Sequence, residues 1–219
     1  MDVSLFNSEV QADINERIEH LSRIHTMPTR YPFRDKDKST WRRCAYPMIY
    51  AEWEGFFVNT VSIYFREVNK LGLKLDDLHQ NYYVRDIEKN FRQLKEYPSK
   101  QSQKHSFLKK LQTYFRNLGT VNLKSDVNTE SNLGFEVVNA ILENLNLQKI
   151  PDHIDNNEYS LKNDLNNFLL RNRNGLAHGD PSITVNDTDI TSAINLVTRL
   201  MNVVQSIFSF GLSNESFRN

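Results

Sequence analysis

The chain has 219 residues, of which 39% are hydrophobic and 25% charged, and its 27 basic and 27 acidic side chains cancel. That length sustains one sizeable core, and zero net charge speaks against a general nucleic-acid coat protein. No run of about 18 apolar residues exists to cross a bilayer, so no membrane partner is expected.

Helical spacing dominates from the start. Leu5, Phe6, Val10, Ile14, Ile18, Leu21 and Ile24 recur at three and four and predict a first helix. Met27 to Thr40, polar and with prolines, reads as a loop. A second helix is expected from about Arg43 to Lys70, and its aromatics (Tyr46, Tyr50, Trp53, Phe56, Phe57, Tyr64, Phe65) mark the centre of the core. Leu75 to Glu96 gives one or two poorly patterned helices, Pro98 to Lys104 a break, and Phe107 to Leu118 another helix. Val121 to Asn132 is a polar linker in which Ser131 or Asn132 is placed to cap a helix over Leu133 to Leu147. Pro151 to Asn157 breaks the chain. Tyr159 to His178 is helical, with Gly179 as its stop, and Thr188 to Phe210 closes the chain. Ser182 to Val185 alone suggests a short strand. The fold class expected is an all-α bundle, read as a single domain over residues 1–219 with a basic helical insert at about 85–120.

Charge is uneven along the chain. Residues 91–125 hold eight basic side chains against Glu96 alone, a local charge of +7. Lys104, Lys109, Lys110 and Arg116 within it read either as a solvated helix face or as a track for a phosphate backbone. Cys44 is the one cysteine, so no intrachain disulfide is possible and a buried thiol is expected there. With no signal-peptide pattern at Met1-Asp2-Val3-Ser4, the expected setting is a reducing cytoplasm. The six histidines show no HxH or HExxH spacing, and no Gly-rich phosphate loop or GxSxG elbow occurs. No metal and no cofactor are expected.

The segment richest in chemistry is Arg171-Asn172-Arg173-Asn174-Gly175-Leu176-Ala177-His178-Gly179. Arginine grips phosphate with a planar fork, and histidine moves protons near neutral pH. RNA carries its own nucleophile in the 2′-hydroxyl, so these two residue types suffice for cutting it without a metal. On a wheel of roughly 100° per residue, Leu165, Phe168, Leu169, Asn172 and Leu176 share one arc, while Arg171, Asn174 and His178 share the opposite one. Arg173 falls on the flank. Glu54, at helical spacing from Tyr50 and Phe57, is expected to be largely buried, paired with Arg171 or Arg173 and orienting it.

Two stretches carry a resemblance. Tyr50-Ala51-Glu52-Trp53-Glu54-Gly55-Phe56 and Arg173-Asn174-Gly175-Leu176-Ala177-His178-Gly179 resemble the HEPN superfamily, in particular a bacterial MAE-like branch. Its members read roughly Y-A-x-W-E-G-F in an early helix and R-N-x-I-A-H-G in a late one. The resemblance implies a HEPN-type helical bundle with additional helices, which dimerises so that two Arg-x4-6-His motifs meet in one cleft. It also implies a metal-independent ribonuclease, of the kind found among toxins and defence effectors. By that pattern Arg173 is the motif arginine, Asn174 its polar companion and His178 the histidine; Arg171 satisfies the longer spacing. The wheel favours Arg171 and the family pattern Arg173, so both are kept, with Asn172 as a supporting amide. The tyrosine that one HEPN subgroup carries two residues after the histidine is here Asp180, which speaks against regulation by modification there.

The function expected is endoribonucleolytic cleavage by 2′-OH attack, leaving 2′,3′-cyclic phosphate ends. RNA is the expected partner, with a second copy of the chain and an antitoxin or defence protein beside it. The alternative is a non-catalytic RNA- or nucleotide-binding or adaptor module on the same fold.

Overall fold

The computed structural model describes residues 2–94, 96–116, 119, 122–124, 127, 129, 132–153 and 160–219. Two long helices open the chain, α1 (Val3–Arg30) and α2 (Asp35–Asn69). Shorter ones come next: α3 (Gln80–Asn90), α4 (Gln101–Arg116) and α5 (Phe135–Asn144). Then α6 (Leu161–Asn163) runs through a π-helical segment (Asp164–Leu170) straight into α7 (Arg171–Ala177). The last helix is α8 (Asp187–Ser213). No strand forms among the described residues, and Ser182 to Val185 is a turn and a loop instead. None of these helices is long and apolar enough to cross a membrane.

The core is the three-helix contact of α1, α2 and α8. α1 contributes Phe6, Val10, Ile14, Leu21 and Ile24, the recurring positions of its sequence, while Leu5 and Ile18 stay outside. α2 is buried on several sides. Tyr46, Tyr50, Trp53, Phe57 and Tyr64 are all enclosed, and Phe208 of α8 packs edge-on against both Phe57 and Tyr64. An aromatic side chain buries about 150–250 Å², so this column is the largest apolar investment of the fold. The hydroxyls inside it are not orphaned: Tyr64 and Tyr82 meet at 2.9 Å, and Tyr82 donates to the Leu145 carbonyl at 3.0 Å.

Helix ends differ from the sequence reading for physical reasons. The loop expected over Met27–Thr40 shrinks to 31–34. Pro28 lies in the last turn of α1, so the single i→i−4 bond it forgoes, to the Ile24 carbonyl, falls at the end of the helix and breaks nothing beyond it. Asp35 and Asp37 favour the start of α2 through its dipole. Asp2 caps α1 by accepting from Ser4 and Leu5 N–H. Asn186 and Asp189 form a reciprocal capping box on α8, each bond at 2.9 Å. Cys44 is exposed rather than buried.

α3 and α4 form a satellite beside the core. Phe91 packs edge-on against Phe107 and Tyr114, and Tyr97 against Phe107. Phe107 is the one buried residue of α4. Tyr114 donates a hydrogen bond to the Asp86 carboxylate of α3.

Candidate functional site

The site grows out of α2. Positions 43, 46, 50 and 53 lie at three- and four-residue spacing, on one stripe of a helix, and each holds part of what stands opposite. Tyr46 stacks edge-on with Phe168 and donates to that residue's carbonyl at 2.8 Å. Its partner lies in the π segment, where i→i+5 bonding rearranges the usual ladder. Trp53 donates from Nε1 to the Leu133 carbonyl at 3.0 Å, and the Tyr50 hydroxyl accepts the Leu133 N–H at 2.6 Å. Two core aromatics thereby clamp both backbone groups of one residue just ahead of α5. Arg43 donates to the carbonyls of Asp180 and Ile183, fixing the chain after the motif.

On this wall sits α7. Arg173 lays its guanidinium 4.6 Å from the centroid of the Tyr50 ring, a cation–π contact. Its Nη1 donates to the Asn174 Oδ1 at 2.6 Å, and Asn174 Nδ2 donates in turn to the Asn132 Oδ1 at 2.9 Å. A relay of arginine and two amides therefore runs from α7 to the segment that Tyr50 and Trp53 clamp. Burial pushes the Tyr50 phenol up from its ordinary pKa. The Leu133 hydrogen bond works the other way, the Glu54 charge adds to the rise, and the Arg173 charge opposes it. Burial also raises Tyr46, against a hydrogen bond with Asn172. The phenols of this wall stay neutral across the physiological range and serve as fixed dipoles.

His178 is the C-cap of α7, with its N–H bonded to the Asn174 carbonyl at 3.0 Å. A Schellman closure completes the stop: Gly179 N–H bonds Leu176 O at 3.1 Å and Asp180 N–H bonds Gly175 O at 2.9 Å. Gly179 takes φ 78°, a conformation costly for residues with a Cβ. This stop leaves the His178 imidazole exposed. Arg171, two turns earlier and about 10 Å along the axis, is exposed as well. Gly175 allows a close approach: a Cβ there would lie 2.2 Å from Ile183 Cδ1.

The residues named from the sequence thus fall into two groups. Arg173, Asn174 and Asn172 turn toward the α2 wall, whereas Arg171 and His178 stand in the open. The ion pair expected between Glu54 and Arg171 or Arg173 is not formed among the described residues. Glu54 is half-buried and acts on the site through its charge on Tyr50. Its neighbour Glu52 does pair, with Arg17 at 2.8 Å. Asn132 does not cap α5; the cap position is Gly134, and Asn166 Oδ1 accepts the Phe135 N–H at 2.9 Å. Ser131, the other capping candidate, lies outside the described residues. Lys104, Lys109, Lys110 and Arg116 belong to α4, in the satellite. Asn132, Leu133 and Arg43 were invisible to spacing arguments because each acts across the fold. The local hint was Ser131-Asn132-Leu133 ahead of an amphipathic helix, a segment that also fits the family branch.

A family model described as MAE_28990-like HEPN matches residues 6–217. The chain belongs to the HEPN family. That family is all-α, as this fold is, and membership supports a nuclease- or RNA-related module. No curated protein and no solved structure matches the chain.

Proposed function

We propose that this HEPN protein is a metal-independent endoribonuclease, acting as a toxin or an anti-phage effector. The observation that carries this reading is the pairing of an exposed His178 and an exposed Arg171 on one short helix whose inner side is locked by Arg173, Asn174 and Asn132. Rigid support of a reactive group is what catalysis by positioning requires.

In the reaction, the His178 imidazole takes the proton of a ribose 2′-hydroxyl. The freed oxygen attacks the adjacent phosphorus, the new O2′–P bond forms, and the P–O5′ bond breaks. A protonated His178 from a second copy of the chain returns a proton to the leaving oxygen. The products are a 2′,3′-cyclic phosphate and a 5′-hydroxyl. Arg171 and Arg173 stabilise the charge that grows on the phosphoryl oxygens, and Asn174 holds Arg173 in line.

One observation favours the second reading, a binding or adaptor module. The Arg173 guanidinium already rests on Tyr50 and Asn174, a posture that suits recognition as well as chemistry. The deciding experiment incubates the purified chain with total cellular RNA in EDTA and maps fragment ends. Cyclic-phosphate ends are expected, with His178→Ala slower by about 10²–10⁴-fold and Arg171→Ala also impaired. A folded protein that leaves RNA intact overturns the nuclease reading in favour of the module.

A further inference from the structure

We infer that the α3–α4 satellite holds single-stranded RNA, gripping the strand away from the His178 site. α4 spans sixteen residues without a single carboxylate and carries Lys104, Lys109, Lys110 and Arg116. A solvated surface helix ordinarily mixes both signs, so one-signed charge over its whole length needs an account. Lys109, Lys110 and Arg116 are all exposed. Lys109 and Arg116 are seven residues apart, nearly eclipsed on the helix and about 10 Å apart along it, a spacing that serves more than one phosphate.

The second observation is what lies between the cations. An open groove of about 520 Å³ runs between the end of α3 and α4, lined by Asn90, Phe91, Ser106, Lys109, Lys110 and Tyr114 among others. Phe91 and Tyr114 pack edge-on at 5.1 Å along it. Lys110 also borders a neighbouring groove that includes Phe107, Gln103 and Glu96. Close by, Lys104 lies 5.5 Å from the exposed Tyr97 ring, and Phe115 is exposed. Phe91 and Phe107 are buried and floor the grooves, while the exposed rings of Tyr97 and Phe115 and the half-buried Tyr114 stand among the cations. Cations set among accessible rings match a ligand that alternates phosphates with bases. An acidic peptide would use the lysines and leave the rings idle. Duplex RNA would offer its backbone but no unstacked base. Three carboxylates stand near, Asp86 and Glu88 on α3 and Glu96 beside the second groove, and none forms an ion pair with the four α4 cations among the described residues; Asp86 accepts from the neutral Tyr114 and Asn90.

This inference rests on the ribonuclease reading for its choice of RNA, and the test separates the two. Binding is measured by fluorescence anisotropy on the full chain, with a 2′-O-methyl oligouridine of about twelve nucleotides, within the usual span of such sites. That probe lacks the nucleophilic hydroxyl and cannot be cut. The variant is Lys109→Gln/Lys110→Gln/Arg116→Gln, with its helical circular dichroism compared to the parent. Affinity is expected to fall at least about tenfold, and the slope of log K against log salt to flatten by about 2, from roughly 0.7 per phosphate contact. Unchanged affinity, an unchanged slope, or equal competition by polyglutamate overturns the inference. If the triple variant loses helix content, Lys109→Gln/Lys110→Gln decides, with a loss of affinity and a flattening of about 1.4 expected. Cleavage of a dinucleotide by the unaltered chain tests the His178 chemistry separately, because two nucleotides need no distant platform.

Discussion

Tyr50 serves two partners from its two ends. Its ring carries Arg173 and its hydroxyl accepts the buried Leu133 N–H. Substitution to Phe keeps the first contact and removes the second. Tyr50→Phe should therefore cost about 1–3 kcal/mol, the penalty of leaving a buried donor without an acceptor, measured by urea unfolding. A loss of under about 0.5 kcal/mol, the scatter of ordinary surface changes, would mean that the Leu133 clamp is incidental. The sequence showed Tyr50 and Trp53 as core aromatics, which they are. Nothing local could show that their polar tips hold residue 133, because that contact spans 80 positions or more. His178 was different. Its exposure follows from Gly179, and a glycine directly after an amphipathic stretch is a signal readable in one dimension.

At the scale of elements, the apolar packing of α2 on α8 is joined at one end by an ion pair. Arg42 forks onto Asp187 with both bonds at 2.6 Å, at the first residue of α8. The hydrogen bonds from Arg42 hold the Asp187 carboxyl below its ordinary range, reinforced by the Arg42 charge. A carboxyl lowered on folding stabilises above its unfolded pKa of about 3.9 and loses that contribution as pH falls through the lower folded value. Acidification below about pH 4 should thus weaken the joint, and Arg42→Ala should remove that part of the acid slope. Asp187 is largely exposed, so screening limits the stake to about 0.5 kcal/mol. Thermal unfolding of both chains across this pH range checks it; parallel curves would refute the linkage. Elements were legible where apolar spacing was strict, as in α1 and α8. Boundaries were not: α1 runs past Pro28 to Arg30 and α2 starts at Asp35, eight residues before Arg43, because a proline is a weaker stop when tertiary packing holds the helix and polar first turns carry no apolar spacing.

The whole molecule is a helical core with a site on one flank and a charged satellite. Its all-α class was readable from periodicity, and its family from two short motifs. The arrangement around Arg173 was not, since the wheel assumed 3.6 residues per turn where Asp164–Leu170 winds more loosely. That looser winding has a consequence for how this chain tolerates length change. A π segment accommodates surplus residues without rotating the helix downstream of it. One residue fewer there can be absorbed by rewinding as ordinary α-helix, which delivers α7 to the α2 wall at nearly the same rotation. Asn167 is exposed and bonded only to Asn163 among the described residues, so its deletion should cost no more than a typical substitution, about 0.5–3 kcal/mol. Deleting Thr198 from α8 has no such slack and twists the rest of that helix by about 100° out of the core. Denaturant unfolding of the two deletions should separate them widely; equal damage would show that the loose winding is not a reserve of length. Where it is one, a change of chain length has a place to settle immediately before Arg171–His178.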